Sequence, residues 1–326
     1  MNKILSAGHI CLDITPVFPS DRQYGDISST LIPGKLVQMN GVTVHTGGSV
    51  ANTGLAMKKM GADVTLLGKV GCDAFGGLVK EIAAKYGAYG LLEDESSSTS
   101  YSVVVSVPGS DRIFLHDPGA NNSFFSSDIP DSVFVDADLL HFGYPPIMKS
   151  IYENDGIELV KIFKRAKDHG LKTSLDMASV DPESEAARVD WRKFLKNVLP
   201  LTDYFLPSYD EISFMIGIEN LEEIADFCIE CGTGVVVIKC GIDGIYYKTA
   251  GESGMQKAYK APFVASATGA GDAAIAAFLV AVLSGRSISQ SVALASAQGS
   301  CAVTAYDALS GLKSLDELED IIRNDR

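Results

Sequence analysis

Short apolar stretches recur along this chain with helical patterns between them, and that alternation narrows the fold more than any other feature. Lys3–Ala7, Asp63–Leu67, Leu139–Phe142, Lys172–Leu175, Tyr204–Leu206 and Val235–Lys239 read as strands. Val50–Met60, Gly76–Tyr86, Gly156–His169, Leu221–Cys231 and Ala270–Leu283 carry helical patterns. Alternation of this kind predicts an α/β fold, a mostly parallel sheet with helices on both faces. The 326 residues suffice for one such domain spanning 1–326.

Two stretches break the rhythm. The first runs from about Ile14 to His45 and contains Pro16, Pro19, Pro33 and Gly34. The second runs from Thr99 to His116. In it Tyr101–Val107 reads as a strand, Pro108-Gly109-Ser110-Asp111 as a turn and Arg112–Leu115 as the hairpin partner. Paired together, the two excursions form a small sheet outside the main one, placed to cover a cleft. Two ordinary surface hairpins are the alternative that periodicity leaves open.

Charge excludes some partners. The formal net charge is −14, which disfavours nucleic acid and anionic membrane surfaces. Phosphate binding in such a chain has to be local, through backbone amides, a metal and a few cations. The longest apolar run, Ala273 to Leu283, is too short to span a bilayer. The N-terminus has no secretory apolar core and reads as a first strand, so a cytoplasmic location is expected. The six cysteines are scattered rather than framed like a disulfide scaffold. Cys228 and Cys231 form a lone CxxC without a second pair, and buried small residues are the expectation there.

The segment richest in chemistry is Ser266-Ala267-Thr268-Gly269-Ala270-Gly271-Asp272, which runs straight into an alanine-rich helix. Glycines let backbone amides crowd a ligand. Free amides at a helix start, aided by the helix dipole, form an anion site, for which phosphate is the obvious guest. Asp272 is electrostatically awkward there unless it works. In phosphoryl transfer it accepts the proton of the attacking hydroxyl while the amides of Gly269, Ala270 and Gly271 steady the transferring group. The plainer alternative is that Asp272 only charges the first helical turn. Gly269, Gly271 and Ala274 also fit G-x-G-x-x-A, but no Asp or Glu follows between Ala273 and Tyr306, as a nicotinamide-dependent oxidoreductase requires. No Walker A sequence is present.

At this loop the chain resembles the ribokinase-like (PfkB) family of carbohydrate and nucleoside kinases, whose C-terminal signature is close to D-T-x-G-A-G-D. The G-A-G-D core is intact, whereas Ser266 and Ala267 depart from the pattern. Gly47-Gly48-Ser49-Val50-Ala51-Asn52 resembles the family's sugar-binding loop, and Gly68-Lys69-Val70-Gly71-Cys72-Asp73-Ala74-Phe75-Gly76 its following G-x-V-G-x-D-x-F-G run. The likeness extends in order over nearly the full length. It implies a ribokinase-like three-layer sandwich with a small β-sheet lid over about 14–45 and 99–116.

The resemblance also implies roles. Asp272 would be the base, with the amides of Gly269, Ala270 and Gly271 as anion hole. Asp13, Gly47, Gly48, Asn52 and Asn121 would hold the acceptor, although Asp13 and Gly47-Gly48 also read as turn residues and Asn121 as a helix cap. Lys239, Gly241, Gly244 and Thr268 would serve the nucleotide. Glu211, in Leu206-Pro207-Ser208-Tyr209-Asp210-Glu211, would act on magnesium through water, with Ser208 in place of the family's asparagine; alone it reads as a first-turn helix acid. Ala295–Ala302 resembles a small-residue helix near the adenine, and tight packing explains it equally. Asp176-Met177-Ala178-Ser179 lacks the D-x-N pattern of fructokinase-like members, and His116, His141, Phe142 and Tyr144 are candidates to shape the pocket. ATP and magnesium are the expected cofactors. Potassium is a candidate, given Ser266 at that position. A sugar is the expected acceptor, with nucleosides and 2-keto-3-deoxygluconate as alternatives, and a homodimer through the lid is a candidate assembly. A catalytically silent sugar- or nucleotide-binding regulator is the alternative from another class, and the presence of Asp272 speaks against it.

Overall fold

The computed structural model describes residues 2–110 and 112–324. Eight strands form the main sheet: β1 Lys3–Gly8, β4 Asp63–Leu67, β9 Leu139–Gly143, β10 Lys172–Leu175, β11 Tyr204–Phe205, β12 Val235–Lys239, β13 Ile245–Thr249 and β14 Ser253–Gln256. Their order is β14-β13-β12-β11-β10-β9-β1-β4. From β4 to β12 every neighbour is parallel, while β13 and β14 add an antiparallel ribbon at one edge.

Parallel strands covered on both faces need apolar side chains on both sides, and these have them. Leu5, Ala7, Val236 and Ile238 point into one core with Leu159, Phe163, Phe194 and Ile224. Ile4, Val235 and Val237 point into the other with Val50, Leu55, Phe278 and Val292. The first face is therefore covered by helices Ile157–Asp168, Trp191–Val198 and Leu221–Glu230. The second is covered by Ser49–Lys59, Ala270–Leu283 and Ile288–Ala302. This three-layer arrangement matches the expectation from the alternating pattern. On the second face small residues set the spacing, because a Cβ on Gly54 would stand 2.7 Å from Leu66 and 2.9 Å from Ser6.

The two excursions do pair. β2 Cys11–Pro16, β3 Val42–Gly47, β7 Tyr101–Val105 and β8 Ile113–Asp117 form a separate sheet in the order β3-β2-β7-β8. The contact between the excursions is the parallel pairing of Leu12–Ile14 with Tyr101–Val103. Asp111, expected from sequence in the turn of the second excursion, lies outside the described residues. The first excursion is otherwise mostly irregular, with one short helix, Ile27–Thr30, capped by Asp26. A third, two-stranded sheet joins β5 Lys69–Gly71 to β6 Leu92–Asp94.

Where helix ends differ from the sequence reading, capping explains the shift. The helix expected from Gly76 begins at Ala74, because the Asp73 side chain accepts from the Gly76 N–H and fixes the start. Among the described residues no helix is long and apolar enough to cross a membrane.

Candidate active site

In an open α/β sheet, ligands settle outside the carboxyl ends of the strands. Here His9 follows β1, Tyr144 follows β9, Asp176 follows β10, Glu211 follows β11 after a short turn, and Lys239 ends β12. With the Gly-rich loop and the second sheet, the ends that carry His9, Tyr144 and Glu211 enclose a cavity of about 1080 Å³.

Asp272 sits in that cavity, 4% exposed, in the first turn of helix Ala270–Leu283. Gly269 caps the helix at φ 75, and a Cβ there would lie 2.4 Å from that of Ala308; glycine alone fits. Three side chains donate to the Asp272 carboxylate. They are Thr53 at 2.9 Å, Asn52 at 3.2 Å and the Tyr144 phenol, 3.0 and 2.9 Å from its two oxygens. Helix Ser49–Lys59 thus orients the carboxylate of another helix. The N–H groups of Gly269 and Gly271 have no acceptor among the described residues, while that of Ala270 turns back to Ala267 O at 3.3 Å. Of the three amides expected to form an anion hole, those of Gly269 and Gly271 are thus left open to a ligand, while that of Ala270 is engaged within the loop.

The residues expected to hold the acceptor lie where the chain passes from β1 of the main sheet to β2 of the second sheet. Asp13 lines the cavity and Gly47 backs it, since a Cβ on Gly47 would stand 2.3 Å from Asp13 Oδ2. Gly48, at φ 82, leaves room for His9, whose carbonyl oxygen would lie 2.5 Å from a Cβ there. The double glycine therefore does more than turn the chain; it gives space to two polar groups. Burial pushes the Asp13 carboxyl up, with Cys11 donating to it at 3.3 Å and opposing the rise. Burial keeps His9 well below the usual histidine range. Its Nδ1 is buried without a partner among the described residues and packs against Gly48, 2.6 Å from the place a Cβ there would take. His116 also lines the cavity and bonds to Ser102 at 3.0 Å.

Lys239 stands on the other side of Asp272, with Nζ 2.7 Å from Asp176 Oδ1. Its Cδ, Cε and Nζ come within 3.8 Å of the place a Cβ on Gly271 would take. Asp176, Glu211 and Asp272 surround this one ammonium. They hold its pKa up against burial, which acts the other way. Thr268 and Glu211 line the cavity, and Glu211 also closes a capping box through the Ser208 N–H at 2.9 Å. Glu211 is thus a first-turn helix acid whose residue also stands in the cavity wall. Among the described residues no three His, Cys, Asp or Glu side chains converge as a metal cage. One carboxylate beside free amides suits a magnesium ion carried on phosphates rather than held by the protein alone, so the residues present fit that ion.

Some expected site residues do other work. Asn121 is fully buried; its amide accepts from Ile10 N and donates to Ile10 O and Pro118 O. It locks the start of the second sheet to the loop after β8, and its neighbour Asn122 lines the cavity instead. Gly241 and Gly244 form the turn between β12 and β13 at φ 57 and 108 and do not line the cavity. His141 and Phe142 point into the core. Ser266 accepts from Arg112 at 3.3 Å and bonds to Thr268 at 3.0 Å. Sequence reading did not single out His9, Thr53 or the Asp176–Lys239 pair, although three of those four lie at the carboxyl ends of strands.

The family model described as pfkB family carbohydrate kinase matches residues 1–315. An uncharacterized sugar kinase of Archaeoglobus fulgidus is 28% identical over 268 residues, which is 80% of this chain and 100% of that protein. A 2-dehydro-3-deoxygluconokinase of Thermoproteus tenax is 28% identical over 314 residues, 91% of this chain and 94% of the other. The structure of Arabidopsis thaliana ribokinase complexed with ribose and ATP matches at a TM-score of 0.76 and 21% identity, covering 99% of each chain.

Proposed function

The chain belongs to the pfkB family of carbohydrate kinases, and from that premise we propose that it moves the γ-phosphoryl group of ATP onto a hydroxyl of a small uncharged sugar, with Asp272 as general base. The observation that carries this reading is the buried Asp272 carboxylate lying in the cavity one residue beyond the free Gly271 amide.

Asp272 takes the acceptor's hydroxyl proton as the new oxygen–phosphorus bond forms and the bond to ADP breaks. The amides of Gly269 and Gly271, with Lys239 beside them, stabilise the charge on the transferring group. Asp13 accepts hydrogen bonds from the sugar, and Gly48 and Asn52 fix its position. Magnesium neutralises phosphate charge when the nucleotide is bound, and Glu211 would hold it through water. The second sheet, which gives Cys11, Asp13, Ser102 and His116 to the cavity wall, acts as the lid that excludes water. Asp272→Asn is expected to lower turnover roughly 10²–10⁴-fold with ATP binding kept. Near-normal turnover in that variant sinks the assignment.

Asp13, Asp181, Glu211 and Asp272 line the cavity, and among the described residues no Lys or Arg does. An anionic acceptor such as 2-keto-3-deoxygluconate meets repulsion there, which favours a neutral sugar. The wall of Pro146, Ile147, Tyr152, Val180 and Ala186 supports a nucleoside as the second reading, with its base against that wall. ADP release measured across ribose, fructose, 2-keto-3-deoxygluconate and nucleosides separates the three. The Arg112 guanidinium already donates to Ser266, so equal rates in potassium and choline chloride are expected. The exposed apolar side chains of Ile113, Phe114 and Leu115 on β8 support pairing of two copies through this sheet, which sedimentation equilibrium tests.

A further inference from the structure

Tyr144 is placed at some conformational cost. It follows β9 directly, at φ 67 and ψ 43, a left-handed backbone that aromatic residues seldom adopt, and Pro145 and Pro146 come next. Its phenol reaches into the cavity and donates to both oxygens of Asp272, at 3.0 and 2.9 Å. Those oxygens also accept from Thr53 and Asn52. Thr53 approaches from the helix behind the carboxylate, whereas Tyr144 belongs to the cavity wall, as Asn52 does; of the two wall residues only Tyr144 offers a hydroxyl.

A hydroxyl about to be deprotonated has to lie about 2.6–3.2 Å from its base. The Tyr144 phenol lies at that distance from both carboxylate oxygens. We infer that Tyr144 is the residue that makes this kinase choose sugar over water, by holding the acceptor's place at Asp272 until a sugar hydroxyl displaces it. This inference rests on the reading of Asp272 as base. Without a sugar, a water at that place would give its proton to Asp272, form a bond to the γ-phosphorus and release ADP and phosphate. The phenol closes that route by occupying the carboxylate. A sugar held by Asp13 brings its hydroxyl in as a competitor with several further contacts, and water has none of these. Wasteful hydrolysis is thereby limited while the sugar reaction proceeds.

The test needs no knowledge of the natural sugar. ADP release from magnesium–ATP is measured without any acceptor for the wild type, Tyr144→Phe, Asp272→Asn and the double variant. Tyr144→Phe is expected to raise acceptor-free ADP release about tenfold or more, a fraction of the roughly 10²–10⁴-fold a general base supplies. The double variant is expected to return to the Asp272→Asn level. A purely structural role for Tyr144 predicts a fall or no change, and either result overturns the inference. So does a rise that persists in the double variant, or phosphate found on Tyr144 itself after incubation with ATP, which would make it an acceptor. Should Tyr144→Phe fail to fold, Tyr144→Leu is measured in the same way, with ATP binding as the check on folding. Loss of the base reading shows separately, as sugar phosphorylation that survives Asp272→Asn alone.

Discussion

Lys239 is a buried cation with three carboxylates around it, and its removal separates packing from charge. The Lys239 and Asp176 side chains are only 12% and 2% exposed. Lys239→Met leaves Asp176 buried without its partner, and a loss of about 3–5 kcal/mol is expected in urea unfolding. Lys239→Met combined with Asp176→Leu is expected to recover most of that stability and none of the activity. Stability that stays low in the double variant would mean the ion pair is not what the site needs. Single residues also mark the limits of sequence reading. That Asp272, Asp13, Asn52 and Glu211 would meet at one cavity was legible because short motifs carry them. Thr53 was not, because a threonine inside a helix carries no motif, and only the packing of two helices brings its hydroxyl to Asp272. Asn121 was legible as important but not for the right reason; its amide satisfies the backbone at Ile10 instead of facing a ligand.

At the scale of elements, the turn between β3 and the helix Ser49–Lys59 is where the proposed seating of an acceptor is tested. Gly48→Ala places a Cβ against the His9 carbonyl at a positive φ. The expected outcome is a rise of about tenfold or more in the KM for sugar, since a sub-ångström displacement of a positioning group is costly, with the KM for ATP little changed. Steady-state kinetics with each substrate varied in turn checks this. β9 allows a test of pH. Its His141 is buried between β1 and β10 and held down to about 3 by burial, with Lys239 adding to the effect. A histidine lowered on folding takes up its proton first in the unfolded chain, so its contribution is complete above about pH 6.5 and is lost as pH falls below that. Asp176, raised by burial, acts in the opposite sense. The contrast to measure is therefore wild type against His141→Gln. Wild type is expected to lose ~2 kcal/mol relative to the variant between pH 7.5 and pH 5. Parallel curves would remove His141 from the account.

For the whole molecule, the order of strands and helices was readable because each parallel strand is a short apolar run and each covering helix keeps its period. The antiparallel ribbon β13–β14 escaped notice; Ile245–Thr249 and Ser253–Gln256 are mostly half-exposed and carry no continuous apolar signal. The pairing of the two excursions was suspected from sequence but not decided by it, because residues so far apart in the chain announce no register. That pairing has a mechanical consequence. Asp272 belongs to the three-layer body, whereas Asp13 lies on β2 in the other sheet, and only His9 and Ile10 separate β1 from β2. A second short link, Gly48 alone, joins β3 to helix Ser49–Lys59, so the enzyme is in effect a caliper whose jaws are tethered by one- and two-residue joints. One glycine inserted after Ile10 should spare both grips, so that nucleotide and sugar still bind in calorimetry, while the gap between donor and acceptor opens and turnover stops.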